Sequence, residues 1–234
     1  MRLCLAIPVL DSVGWRFFLH VSALVGKLAR KYELELCYVN RSAIDRAREL
    51  SVKTAIAKEC DYLLFIDDDT IIPFDTVDKL FPLLEEKKDA VCASGFCYQR
   101  GYKYMPMVYK YENFVWGTGQ SCQLLEPFPT EPFRVSAVGM GVSLLKVELL
   151  KKLGDKLGDC FGRDGGGTED FYFFAKAYQM EFTTWVDPSV EATHLGNPRE
   201  INSSVTDRYR EEDHCMIYLP NEDGGRAYKG ELKV

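Results

Sequence analysis

Short apolar runs alternate with longer amphipathic segments through the first hundred residues, and this alternation restricts the chain to few folds. The apolar runs cover residues 3–9, 34–39, 62–66 and 90–97, and apolar side chains recur at helical spacing between them. Strands that alternate with helices are typical of βαβ units around a parallel sheet. The run from Tyr62 to Ile66 is apolar at every position, as expected of a central strand buried on both faces. The sequence therefore predicts an α/β fold.

The remaining elements follow from the same patterns. Residues 99–126 are rich in tyrosine and glycine, which favours hairpins over helices, and residues 199–234 are polar without a clear period, which predicts a surface extension. A loose capping box at Ser42 to Asp45 marks the start of the second helix. We predict helices at 13–31, 42–60, 73–87, 144–153 and 168–180, and two later strands at 133–138 and 183–186, the latter being the last.

Composition excludes several classes of protein. The 234 residues carry 29 Lys and Arg against 35 Asp and Glu, a net charge of −6, so no broad surface for nucleic acid is expected. No apolar stretch reaches the roughly 20 residues of a membrane span, and no cleavable leader pattern follows the first strand. The eight cysteines show no CxxC motif, which indicates free, buried thiols. We therefore expect a cytoplasmic protein without a membrane span.

Three carboxylates follow directly on the apolar run 62–66. Asp67, Asp68 and Asp69 would reach the carboxyl edge of a parallel sheet, where ligands of open α/β folds bind. In an extended chain Asp67 and Asp69 point the same way, and their charges repel unless water or a cation lies between them. Carboxylate oxygens suit Mg²⁺ or Mn²⁺, which favour substrate phosphates as further ligands. Alternatively, the triplet caps the helix predicted near Pro73.

Three further groups of residues are candidates for chemistry. Glu169 and Asp170 follow Thr168, a good N-cap, and either serve a proton transfer or only favour the first turn of the helix. His194 is either structural or a metal ligand beside carboxylates. The turn Gly139-Met140-Gly141 either joins two strands or lets the backbone approach a substrate.

Three motifs follow one another along the chain: the strand end Asp67-Asp68-Asp69, the helix start Thr168-Glu169-Asp170 and the segment Thr193-His194-Leu195-Gly196. In this order they resemble the motifs of a GT-A-fold glycosyltransferase of the family 2 type. The resemblance covers residues 2–196. It implies a GT-A-type, Rossmann-like sheet, mixed and mostly parallel, flanked by helices, with a smaller hairpin-rich acceptor region. Residues 1–198 would form one catalytic domain, with a nucleotide-binding half at 1–98 and an acceptor-binding half at 99–198, followed by the extension 199–234.

The resemblance also implies roles for single residues. Asp69, Asp67 and His194 would hold Mn²⁺ or Mg²⁺, and Asp170, paired with Glu169, would be the catalytic base. Ala47-Arg48 is similar to an Ala-Arg-Asn element that faces the nucleotide, although Glu49 stands in place of the Asn. The residues expected at the nucleotide-sugar are Pro8, Arg48, Asp67 and Asp68. Those expected near the acceptor are Gly139, Met140, Gly141 and Trp116; Trp116 and the tyrosines at 102, 104, 109 and 111 either stack on a sugar or belong to the core.

The activity implied is metal-dependent transfer of a hexose-like sugar from a UDP- or GDP-linked donor to the hydroxyl of a glycan or another acceptor. Inversion at the anomeric carbon is expected more than retention. Two alternatives stay open. The sequence Phe65-Ile66-Asp67-Asp68-Asp69 also resembles the opening of phosphohydrolases that use an aspartyl nucleophile, though on the third strand rather than the first. The other alternative is a module that binds nucleotide-sugar or glycan without catalysis.

Overall fold

The computed structural model describes residues 1–99, 105–110, 128–163 and 168–195, together with the backbone of strand residues at 111, 122–124, 200–201, 214–220 and 226–233. The helices are α1 Trp15–Leu28, α2 Ile44–Ala57, α3 Thr76–Glu86, α4 Val147–Leu157 and α5 Glu169–Gln179. The strands are β1 Arg2–Val9, β2 Glu33–Asn40, β3 Tyr62–Ile66, β4 Thr70–Ile71, β5 Ala90–Phe96, β6 Val108–Tyr111, β7 Cys122–Leu124, β8 Phe133–Val135, β9 Ala137–Val138, β10 Val142–Lys146, β11 Thr183–Glu191, β12 Thr193–Leu195, β13 Glu200–Ile201, β14 His214–Pro220 and β15 Arg226–Lys233.

A seven-stranded sheet forms the centre of the fold, in the order β2-β1-β3-β10-β5-β11-β8. Strands β2, β1, β3, β5 and β11 run in one direction, whereas β10 and β8 are antiparallel to their neighbours. The prediction of an α/β fold around a mixed, mostly parallel sheet flanked by helices is confirmed. The parallel strands end together at one edge of the sheet, which is the edge reached by the aspartates after β3.

Strand β10 was missed by the sequence patterns. We predicted a helix over 144–153, but Val142–Lys146 is a strand between β3 and β5, and the helix begins only at Val147. A short apolar run in a buried position has no period that separates strand from helix, so its sheet neighbours decide the outcome. The polar side chain of Ser143 on β10 has a partner within the buried sheet, because its hydroxyl donates to the hydroxyl of Ser94 on β5 at 3.3 Å.

Several predicted boundaries were also wrong. The N-cap of α2 is Ala43, and no side-chain hydrogen bond caps this helix, so the capping box at Ser42 does not form. Helix α3 begins at Thr76 rather than at Pro73, and residues 133–138 form two strands, β8 and β9, instead of one. Strand β11 continues to Glu191 and is not the last strand, because β12 to β15 follow it.

Both faces of the sheet are covered. Alternate residues of β1 point to opposite faces, so Leu5 packs with α1 and α3 while Ala6 packs with α2, α4 and α5. The six described cysteines are buried and free, in agreement with the sequence. The antiparallel pair β6–β7 agrees with the hairpins predicted within 99–126, and β6 also pairs with β9, outside that range. Within the described ranges, every helix is too short or too polar to cross a membrane.

Candidate active site

The three aspartates after β3 lie at the carboxyl edge of the sheet, but each has a different partner. The chain turns here, because the amide N–H of Thr70 donates to the carbonyl of Asp67 at 3.0 Å. The extended backbone that would have pointed Asp67 and Asp69 the same way is therefore absent. Asp68 Oδ2 accepts a hydrogen bond from the amide of Leu10 at 3.1 Å, which joins the ends of β3 and β1.

Asp67 is paired with Arg48, a buried residue of α2. Nη2 of Arg48 donates to Oδ1 of Asp67 at 2.9 Å, and the guanidinium lies 5.1 Å from the ring centre of Phe65 on β3. Burial alone lowers the pKa of Arg48, but the negative charges of Asp67, Asp170 and Glu169 outweigh it and raise this pKa. Arg48 therefore remains charged in the interior because carboxylates surround it.

The same guanidinium reaches the start of α5. Nε of Arg48 donates to Oε1 of Glu169 at 3.3 Å and lies 3.8 Å from Oδ1 of Asp170. We call Asp67, Glu169 and Asp170 the carboxylate cluster. Thr168 occupies the N-cap of α5, as predicted, although its side chain makes no capping hydrogen bond. Because the helix begins next to Arg48, Glu169 and Asp170 are directed at the sheet edge and not only at the helix dipole.

Asp170 has the most perturbed carboxyl group of the site. Burial raises its pKa, the guanidinium of Arg48 opposes this, and the charges of Glu169 and Asp67 add to the rise, so that the pKa is about 8. Three carboxylates around one guanidinium would carry two excess negative charges, and one proton on Asp170 halves that excess. Oδ1 of Asp170 and Nη1 of Arg48 are buried and have no hydrogen-bond partner in the described part of the chain. A bound ligand could supply those partners.

Asp69 lies against His194, two residues that the resemblance places at one metal ion. Oδ1 of Asp69 is 3.2 Å from Nε2 of His194, and Nδ1 of His194 is 2.7 Å from the carbonyl oxygen of Tyr98. A carbonyl only accepts hydrogen bonds, so we assign the proton to Nδ1, which leaves the Nε2 lone pair facing a carboxylate. Such a pair is stable only with a cation between its members, which is a proton on Nε2 or a metal ion.

The Asp69–His194 pair has the features of part of a metal site. Ligands at about 2.1 Å from an octahedral ion lie about 3 Å apart when they are adjacent, close to the separation of these two atoms. The bond from Nδ1 to a backbone carbonyl is the usual support of a metal-binding histidine. Among the described residues, however, no group of three His, Cys, Asp or Glu side chains surrounds one point. Two protein ligands suit Mg²⁺ or Mn²⁺ only if water or ligand phosphates complete the shell.

Gly141 is placed where a side chain would collide with the site. A Cβ there would lie 2.7 Å from Sγ of Cys97 and 3.2 Å from Oδ2 of Asp67. Its carbonyl accepts the amide N–H of Asp67 at 3.3 Å. The turn 139–141 joins β9 to β10, with Met140 buried in the core and Gly139 packed on Met107. The glycine at 141 therefore lets β10 lie close to the end of β3.

Glu49, which stands in place of an Asn, supports the site from behind. Its Oε2 accepts the amide N–H of Phe161 at 3.0 Å, and its Oε1 lies 3.2 Å from Nζ of Lys53. Glu49 thereby fixes the segment that leads toward α5 and does not join the carboxylate cluster. The hydrogen bond from Phe161 connects residues 112 positions apart, and no local pattern indicates it.

The other predicted residues are less central. Pro8 pairs with Val39 of β2 near the end of β1. The ring of Tyr109 packs edge-on against Phe171 of α5 with centroids 5.1 Å apart, so it supports the helix that carries the cluster. Trp116, the tyrosines at 102 and 104 and Gly196 lie outside the described residues, as does the side chain of Tyr111. Sequence analysis missed the carbonyl of Tyr98, which belongs to no motif, and the contact between the ring of Phe65 and Arg48, which joins two separate elements.

No protein-family model matches the sequence, and no curated protein matches it. Among solved structures, the crystal structure of A197 from STIV is similar, with a TM-score of 0.55 over 86% of this chain and 94% of that chain. The two sequences are 19% identical. At that identity the likeness establishes a shared fold, and the chemistry rests on the residues of the site.

Proposed function

We propose that the protein is a metal-dependent glycosyltransferase with a GT-A-type fold, which transfers a sugar from a nucleotide-diphospho-sugar to an acceptor hydroxyl. One observation carries this proposal. The Asp69–His194 pair lies two residues along the chain from Asp67, and Asp67 is joined through Arg48 to the carboxyl group of Asp170 at the same edge of the sheet. A leaving diphosphate needs positive charge and an acceptor hydroxyl needs a base, and this edge offers a group for each.

Asp69 and His194 would hold Mn²⁺ or Mg²⁺, which would neutralise charge on the leaving diphosphate. Asp170 takes the proton of the acceptor hydroxyl. The acceptor oxygen forms a bond to the anomeric carbon, and the bond from that carbon to the diphosphate oxygen breaks with its electron pair leaving on the diphosphate. Attack opposite the leaving group inverts the anomeric carbon. A pKa near 8 suits this role, because a base is most effective when its pKa lies near the working pH.

Arg48 positions the carboxylates in this proposal. It holds Asp67 on one side and Glu169 on the other, and its distance of 3.8 Å from Asp170 leaves that carboxylate less tightly paired. A base fully paired with a guanidinium would have a low pKa and little affinity for a proton. The looser contact therefore keeps Asp170 near the guanidinium and still basic.

The phosphohydrolase alternative needs Asp67 as a free nucleophile. In the structure, Oδ1 of Asp67 accepts a hydrogen bond from Arg48 at 2.9 Å. This pairing with a guanidinium lowers the nucleophilicity of the carboxylate, which does not favour attack on a phosphate ester.

Two isosteric variants test the proposal. With UDP- and GDP-sugars and Mn²⁺ or Mg²⁺, Asp69→Asn is expected to lose metal-dependent donor binding. Asp170→Asn is expected to keep donor binding and to slow transfer by roughly 10²-fold or more, the usual contribution of a general base. The control is Asp89→Asn, an exposed residue just before β5 at the opposite edge of the sheet.

The outcomes separate the candidate functions. Transfer by Asp170→Asn at the wild-type rate would remove the base assignment. Hydrolysis of a generic phosphate ester that depends on Asp67, without sugar transfer, would indicate a phosphohydrolase. Donor affinity without any product over a broad acceptor panel would indicate a binding module.

A further inference from the structure

Helix α1 is apolar on the side that faces away from the core. Its buried side carries Phe17, Val21, Leu24 and Leu28, which pack on the sheet. Its outer side begins with Trp15, Phe18 and Leu19, whose exposed fractions are 71%, 57% and 58%. A helix at the surface of a globular protein normally presents polar residues there. The packing of the described residues does not account for these three side chains.

The apolar surface extends beyond the helix. Leu10 and Val13, in the loop before α1, are exposed as well, and we call Leu10, Val13, Trp15, Phe18 and Leu19 the α1 face. A groove between α1 and the edge strand β2, lined in part by Val25 and Tyr38, continues this surface. Of the eleven large apolar residues exposed in the described part of the chain, seven lie between positions 10 and 38. Such concentration marks an interaction surface, since isolated exposed apolar residues are ordinary.

The charge of this segment is opposite to that of the protein. Residues 10–32 contain Arg16, Lys27, Arg30 and Lys31 and one acidic residue, Asp11, which pairs with Arg41 at 3.3 Å, although the net charge of the chain is −6. Arg16 and Lys27 lie on one side of the helix, and Arg30 follows in the turn just after its end, so three of the basic residues lie beside the α1 face. Arg16, Lys27 and Arg30 are all exposed. Lys31 is separate, because its ammonium pairs with Asp78 at 2.5 Å.

We propose that the α1 face docks on the surface of an anionic lipid bilayer, with α1 lying in the plane of the interface. An apolar helix face that contains Trp and Phe, bordered by Lys and Arg, is the arrangement by which helices bind such surfaces. Each basic residue near the lipid headgroups adds attraction to negative lipids. A two-fold contact between two copies would instead bring the same basic residues toward each other, which disfavours a second copy as the occupant.

The docking surface is next to the candidate active site. Five residues separate the end of β1 from the start of α1, and the amide of Leu10 in the α1 face donates to Asp68 at 3.1 Å. Docking would therefore hold the carboxyl edge of the sheet close to the bilayer. The inference itself does not depend on the proposed reaction, because it rests only on exposure and charge.

The test measures co-sedimentation of the full chain with vesicles of phosphatidylcholine, with and without phosphatidylglycerol, at about 0.1 M salt. Binding to the anionic vesicles alone is expected. The triple variant Trp15→Ser/Phe18→Ser/Leu19→Ser should bind at least about tenfold more weakly, because it removes apolar area from the interface. The double variant Lys27→Gln/Arg30→Gln should weaken binding by roughly tenfold or more. Both variants change exposed residues, so circular dichroism should show the wild-type fold.

A matched control changes exposed apolar residues elsewhere. Leu50→Ser/Tyr178→Ser alters side chains that are 49% and 52% exposed on α2 and α5, and it should bind vesicles like the wild type. Trp15 adds a spectroscopic signal, since its emission should shift to shorter wavelength on anionic vesicles and the shift should vanish in Trp15→Phe.

Three results would overturn the inference: no binding to anionic vesicles, equal loss in the Leu50/Tyr178 control, or a dimer in solution that the triple variant converts to monomer. None of these results bears on sugar transfer, which is measured separately with soluble substrates.

Discussion

Replacing Arg48 by Met should destabilise the protein in a way that depends strongly on pH. The guanidinium is the partner of Asp67 at 2.9 Å and of Glu169 at 3.3 Å; Arg48 and Glu169 are buried, and Asp67 is half-buried. Met retains much of the packing against Phe65 but removes the positive charge. Loss of one member of a buried ion pair costs about 3–5 kcal/mol, because the remaining charges stay in the interior without compensation. We expect the free energy of unfolding to fall by that amount near neutral pH.

The pH dependence follows from proton uptake. Without Arg48, the folded protein relieves the repulsion among Asp67, Glu169 and Asp170 by binding protons that the unfolded chain does not bind. Stability then falls as the pH rises between about 4 and 8, because the folded state holds more protons than the unfolded state in that range. The cost of the substitution should therefore be largest near about pH 7.5 and fall to about half or less near pH 4.5. Urea unfolding followed by circular dichroism at both pH values measures this difference.

Lys53→Met provides the comparison. Nζ of Lys53 is paired with Asp159 at 2.9 Å and with Glu49 at 3.2 Å, but its side chain is largely exposed. An exposed pair contributes about 0–1 kcal/mol, so this variant should lose little stability at either pH. The electrostatic account of the cluster is wrong if Arg48→Met costs no more than Lys53→Met, or if its cost is the same at both pH values.

Three further outcomes are expected. His194→Gln should weaken Mn²⁺ binding at least about tenfold in calorimetric titration, since the Nε2 ligand and its support from Tyr98 are lost; unchanged affinity would place the metal elsewhere. Gly141→Ala should lower the free energy of unfolding by about 1–3 kcal/mol, because the new methyl group collides with Cys97. Gly26→Ala, which has open space around the new methyl group, should raise it by about 0.5–1 kcal/mol. Thermal unfolding compares the two variants, and equal effects would contradict the predicted collision with Cys97. If Asp170 is the base, kcat/KM should rise about tenfold per pH unit up to pH about 8 and then level off, because only the carboxylate form accepts a proton. The same pH profile in Asp170→Asn would contradict this role.

Local patterns determined the fold class and the main candidates for chemistry. The apolar strand Tyr62–Ile66 followed by three aspartates is a contiguous signal, and the position of such residues at the carboxyl edge of a sheet follows from strand direction alone. The alternation of apolar runs and helical spacing is equally local, so the α/β fold was predictable. The start of α5 at Glu169 was predictable for the same reason, from Thr168 and the acidic residues after it.

Tertiary structure decided which of these residues meet. Strand β10 inserts between β3 and β5 because its apolar side chains find partners there, and no period in 142–146 distinguishes it from a helix. Arg48 reaches Glu169 across 121 positions, and His194 reaches Asp69 only because β12 pairs with β4. Periodicity indicates only which residues of one element share a face, whereas the pKa of Asp170 depends on its burial and on the charges of Arg48 from α2 and Asp67 after β3. The aspartates were therefore evident from the sequence, and their partners were determined by how the distant elements pack.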